Sequence, residues 1–117
     1  YYMGSIVAYD NAVKQNLLQV PEETISRYGA VSEETVKAMV IGANQALQSD
    51  VSIGVTGIAG PDGGTPEKPV GHIWICVGNK DIQETFLLKA GKNRLKNIET
   101  TTFYSLDMLR KFILKEY

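Results

Sequence analysis

The sequence predicts an α/β domain in which helices are layered on a mixed β-sheet. Short apolar, β-branched runs, "GSIVAY", "VSIGVT" and "VGHIWICVG", read as strands. Between and after them, apolar residues recur at helical intervals of three and four. The chain has 117 residues, 44% of them hydrophobic, enough for one core and too few for two ordinary domains.

Taken in order, Gly4–Tyr9 is the first strand, and Asp10 or Asn11 caps a helix carrying Val13, Lys14, Leu17 and Leu18. Pro21 opens a further turn. Ser32 is the next N-cap, with Glu33 and Glu34 in the first turn, where the helix dipole favours acidic groups. Val36, Met39, Val40, Ala43 and Leu47 then make one apolar helix face. "VSIGVT", from Val51, is a short buried strand. In "VGHIWICVG", Ile73, Ile75 and Val77 share one face and His72, Trp74 and Cys76 the other. The turn cluster Gly78–Asp81 returns the chain as "IQETFLLK", the antiparallel partner in a hairpin. From Asn93, the residues Leu95, Ile98, Thr102, Leu106, Leu109 and Ile113 keep helical spacing to the end.

Composition excludes several classes of function. A formal charge of -1, from 12 basic and 13 acidic residues, gives no broad field for nucleic acid or an anionic membrane. No apolar run approaches the roughly 20 residues that span a bilayer. The single cysteine, Cys76, allows neither an intrachain disulfide nor a multi-cysteine metal site, which fits a reducing cytoplasmic setting. No metal is expected, because His, Cys, Asp and Glu do not fall at metal-ligand spacing, and no other cofactor is expected. Cys76 reads as a core residue, Trp74 as a core or interface residue, and the lone His72 as a strand-face residue.

The stretch "TGIAGPDGGTPEKPVG", Thr56–Gly71, is where chemistry is concentrated. Its glycines let backbone N–H groups approach an anion, and its prolines limit the entropy lost on binding. It matches neither the Walker A pattern nor a dinucleotide fingerprint. On residue types alone, a ligand loop and a plain surface crossover stand equal.

The longer string "VTGIAGPDGGTPEKPVGHIWI" resembles the signature of the CinA C-terminal domain family, whose members include nicotinamide mononucleotide deamidases. "GSIVAYDNAVKQNLLQVPEETISRYGAVSEETVKAM" resembles the family's strand ending in Tyr followed by a helix carrying Lys. "AGKNRLKNI" resembles its Gly-x-x-Arg entry to the last helix. The resemblance implies hydrolysis of nicotinamide mononucleotide to the acid and ammonia. In that Ser/Lys-type reaction a serine attacks the amide, a lysine accepts its proton and a tyrosine assists.

Tyr9 and Lys14 fall on the matching tyrosine and lysine positions. Lysine is a poor base at its ordinary pKa of about 10.4, and burial beside a cationic ring favours its neutral form. Residue type alone favours the plainer alternative, in which Tyr9 packs at a strand end and Lys14 is a solvated helix charge. The resemblance implies substrate contacts from Thr56, from the backbone at Gly57, Gly60, Gly63 and Gly64, and from Thr65 and Lys68. Arg94, at a helix start, implies a phosphate contact, against the alternative of an ordinary surface charge. The family's serine lies in a Ser-x-Thr-Gly-Gly segment found nowhere in these 117 residues, and Ser5, Ser26, Ser32, Ser49, Ser52 and Ser105 do not match it. The expectation is therefore a domain lacking its first strand and helix and inactive by itself. Uncovering part of the sheet is expected to favour association through the exposed edge, as a homo-oligomer, or a loosened fold.

Overall fold

The computed structural model describes residues 18, 20–58, 65–66 and 68–116. The expected strand Gly4–Tyr9 and the helix after it lie outside the described residues. Six elements follow in order: α1 (Glu22–Tyr28), α2 (Glu33–Leu47), β1 (Ser52–Gly57), β2 (His72–Gly78), β3 (Gln83–Lys89) and α3 (Arg94–Glu116). The described sheet has the order β1-β2-β3, antiparallel throughout, with Gly57 opposite Ile73 and His72 opposite Lys89.

Side-chain alternation on the strands sets the layers. Cys76 and Trp74 pack on Val36 and Val40 of α2. On the opposite face Ile73, Ile75 and Leu88 pack with Ile53, Ala90 and Met108 of α3. The result is a helix–sheet–helix sandwich with β2 at its centre, as the α/β reading expects.

Local chemistry fixes the helix ends. Ser32 Oγ accepts the Thr35 N–H at 3.2 Å, the expected N-cap. Helix α1 was not legible as a helix, although Pro21 followed by Glu22 and Glu23 is a start signal. It stops at Gly29, whose φ of 87° suits glycine. A Cβ on Gly42 of α2 would run into the Leu18 backbone, so glycine there lets the chain before α1 lie against α2. Asn44, buried in α2, donates to the Gly78 carbonyl at 3.1 Å and accepts from Ser49 Oγ at 3.0 Å. Both ends of its amide are satisfied, as burial requires.

The last helix differs from expectation in which side is buried. Phe112, Asn97 and Ser105 are the buried positions. Much of the apolar stripe read from the sequence faces outward, with Leu95 73%, Leu106 58%, Ile98 44% and Ile113 44% exposed. The helix is apolar on two sides, and spacing identifies a helix without saying which side meets the sheet. Polar Asn97 and Ser105 disguised the inner one. The Ser105 hydroxyl has no hydrogen-bond partner among the described residues. Ser105→Ala is therefore expected to leave stability unchanged or raise it by about 1 kcal/mol in urea unfolding. A loss larger than that would mean the hydroxyl is satisfied.

Candidate functional site

The pairing brings the C-terminal end of β1, the start of β2 and the C-terminal end of β3 to one end of the sheet. Helix α3 begins beside them. Gly71 ties these ends together. Its N–H donates to the Ile58 carbonyl at 2.6 Å, and its carbonyl accepts from the Ala90 N–H at 2.8 Å. Ile58 N–H in turn donates to the His72 carbonyl at 3.1 Å. Gly71 has φ 89°, and an added Cβ would meet the Ala90 carbonyl and lie 2.6 Å from the Gly91 oxygen.

The described members of the expected site, Thr56, Gly57, Thr65, Lys68 and Arg94, all belong to this end of the molecule. Gly57 pairs with Ile73 so closely that a Cβ would come 2.7 Å from Ile73 Cγ1. Thr65 and Lys68 close a small turn: Thr65 N–H donates to the Lys68 carbonyl at 2.9 Å, and Lys68 N–H donates to Thr65 Oγ1 at 3.1 Å. Arg94 is exposed at the first position of α3, just after Asn93, whose side chain accepts the Lys96 N–H at 3.0 Å as the helix cap. Tyr9, Lys14, Gly60, Gly63 and Gly64 lie outside the described residues.

Two expected ligand side chains have protein partners in the turn between α1 and α2. Thr56 Oγ1, buried, donates to the Ala30 carbonyl at 2.7 Å. Lys68 Nζ donates to the Tyr28 carbonyl at 2.9 Å. Between them, Gly29's carbonyl accepts from Ser32 Oγ at 2.9 Å and Thr35 Oγ1 at 2.7 Å. Three consecutive carbonyls thus take side chains from β1, from the segment before β2 and from the start of α2. Sequence reading missed this role for the turn. Its signal was the run "YGAVSEET", a glycine helix stop followed by Ser and Thr at capping distance.

A cleft of about 240 Å³ opens beside Gly57, lined also by Val55, Ile73, Asn97 and Ile98. The larger cleft, about 540 Å³, lies at the opposite end of the sheet around Asp50, Lys80 and Asp81. Of the expected site residues only Gly57 lines the smaller one, and none lines the larger, so the smaller is the relevant cavity despite its size. Asn97, missed as a site neighbour, is buried there and donates from Nδ2 to the Gly91 carbonyl at 2.7 Å, fixing the entry to α3.

Cys76 is fully buried, and burial pushes its thiol up to about 12, so almost no thiolate forms near neutrality. His72 is half-buried, edge-on to Trp74 with centroids 6.5 Å apart. Burial, and then the charges of Lys68 and Lys89, hold its pKa below 6.5. The folded state therefore binds the His72 proton more weakly than the unfolded chain does. Its contribution to stability is intact above about pH 6.5 and is lost as pH falls below that. An NMR titration is expected to place the His72 midpoint below 6.5, and Lys68→Met to move it upward by removing one repelling charge.

The family model of the CinA C-terminal domain matches residues 1–113. The chain belongs to the CinA C-terminal domain family. It is 45% identical over 95% of its length to a CinA-like protein of Cytophaga hutchinsonii, and 43% identical over 97% to one of Citrifermentans bemidjiense. It spans 27% and 28% of those relatives' lengths. Among solved structures, the competence/damage inducible protein CihA of Agrobacterium tumefaciens superposes with TM-score 0.84 at 34% identity, over 88% of this chain and 64% of that one. The competence damage-inducible protein A (ComA) of Klebsiella pneumoniae superposes with TM-score 0.87 at 28% identity, over 93% and 68%. This CinA domain therefore shares the fold of the solved family members over most of its length. No helix among its described residues is long and apolar enough to cross a membrane.

Proposed function

We propose that this CinA domain binds nicotinamide mononucleotide at the Thr56–Gly71 end of the sheet, as part of an amidohydrolase that converts it to nicotinate mononucleotide and ammonia. The observation that supports the reading is that Thr56, Gly57, Thr65 and Lys68 lie at the end of the sheet where the helix headed by Arg94 begins, in a chain of this family. Arg94, a guanidinium at a helix start, supplies the charge and fork geometry that suit a phosphate. In this reading the remaining anion contacts fall to the backbone at Gly57 and to the glycines that the family resemblance implies, Gly60, Gly63 and Gly64, with Thr65 following in sequence. The 240 Å³ cleft is smaller than the range for whole drug-sized ligands, so it takes one ring or the ribose rather than the entire nucleotide.

Catalysis in this reading needs Lys14 as the base and Tyr9 as its partner, and a serine nucleophile that the Ser-x-Thr-Gly-Gly segment supplies in the family. These 117 residues hold no such segment. By themselves they bind the nucleotide and release no ammonia. One buried, unreactive cysteine fits a reducing cytoplasm.

Titration calorimetry with nicotinamide mononucleotide and with nicotinate mononucleotide tests the binding, and an ammonia assay on the same sample tests the chemistry. Heat without ammonia is the expected result. Absence of heat with both ligands, from folded protein, removes the nucleotide reading.

A second reading, a noncatalytic self-association domain, is favoured by the exposed Leu95, Leu106, Ile113 and Leu114 along α3. It predicts a homo-oligomer whose mass in sedimentation rises with concentration. A monomer at all concentrations rejects it.

A further inference from the structure

The turn between α1 and α2 holds three carbonyls in a row, each taken by a side chain from elsewhere in the chain. Lys68 differs from the others because it comes from the segment leading into β2. Its ammonium donates to the Tyr28 carbonyl at 2.9 Å, at the C-terminus of α1, where a cation is favoured by the helix dipole and by unpaired carbonyls. Gly29 leaves room for it, since a Cβ there would lie 2.8 Å from Lys68 Nζ. On the main-chain side, Lys68 closes the turn with Thr65 through two hydrogen bonds. Three residues on, Gly71 is tied to Ile58 and Ala90. The segment 65–71 is therefore held at its far end by backbone bonds and at its near end by one lysine side chain.

We infer that Lys68 is a positioning residue: it holds the ligand-binding segment against α1 through the Tyr28 carbonyl, and it supports nucleotide binding through that contact rather than by touching the phosphate. The inference deepens the proposed nucleotide reading and rests on it for the ligand. The clamp itself does not depend on any ligand. Lys68→Met removes the donor and keeps the aliphatic stem, while Lys68→Arg keeps a cationic donor within reach of a carbonyl.

The test is hydrogen exchange of the Thr65, Lys68, Gly71 and His72 amides in ligand-free protein, all of which donate in the structure, together with calorimetric titration of nicotinamide mononucleotide. Lys68→Met is expected to speed exchange at these amides by up to roughly tenfold, the contact being partly exposed, with amides from Ile73 onward in β2 and those of α2 unchanged. Lys68→Arg is expected to restore protection. Nucleotide affinity should fall in Lys68→Met and recover in Lys68→Arg. Exchange that is unchanged in Lys68→Met, or faster throughout the molecule, overturns the clamp. Affinity that is lost in Lys68→Met with the segment still protected makes Lys68 a direct phosphate ligand and also overturns it. Wild-type protein that binds no nucleotide while Lys68→Met loosens the segment leaves the clamp standing and removes only the ligand reading.

Discussion

Phe112→Ala is expected to destabilise the domain by about 3–5 kcal/mol, the usual cost of emptying a fully buried aromatic site. Phe112 is 1% exposed and lies one turn beyond Met108 on the inner side of α3. Most of this helix's other large apolar side chains face outward, so few remain to anchor it. Against a total stability of about 5–15 kcal/mol, the loss leaves little margin. Urea unfolding should show a lower midpoint, and Tm should drop by well over about 10 °C. Phe112→Leu, which keeps most of the volume, should recover much of the loss. A cost below about 1 kcal/mol for the alanine variant would mean that α3 is not held through this side.

Gly71→Ala is expected to cost about 2–4 kcal/mol and to impair the site directly. Two physical terms add. The backbone sits at φ 89°, where an L side chain is strained by about 1–2 kcal/mol. The new methyl group would also meet the Ala90 carbonyl, which has no flexible side chain to move aside. Relief requires breaking the bonds to Ile58 or Ala90, which join β1, β2 and β3 at the site end. Gly91→Ala is the matched control, because nothing lies within 4 Å of a Cβ there. It should stay within about 0.5 kcal/mol of wild type. Equal effects of the two substitutions would contradict the crowded crossing at Gly71.

What could be read from the sequence follows the strength of the local signal. Helix α2 was legible because Ser32, Glu33 and Glu34 cap a face formed by Val36, Met39 and Val40. The β2–β3 hairpin was legible because alternation in "HIWICV" and the turn at Gly78–Asp81 agree on the register. Helix α1 was missed because it has seven residues and no buried side chain, too little for an apolar period. The inner side of α3 was missed because burial of Asn97 and Ser105 depends on where the sheet lies.

The site shows the same division. Sequence resemblance drew attention to Thr56 and Lys68 as ligand side chains, and spacing alone has no means of finding the Tyr28 and Ala30 carbonyls to which they donate. Those contacts span 40 and 26 residues and arise only when α1, β1 and the segment before β2 are packed together. Gly57 and Gly71 were visible as glycines, but the close approaches to Ile73 and Ala90 that require them are tertiary.

The most direct test of the central claim is an amide chemical-shift titration of the folded chain with nicotinamide mononucleotide. Saturable shifts are expected at Thr56, Gly57, the segment from Thr65 to Gly71, and Arg94, with Asp50, Lys80 and Asp81 at the other end of the sheet unmoved. Saturable shifts confined to the Asp50 and Lys80 end, or none anywhere at millimolar nucleotide, would contradict that claim.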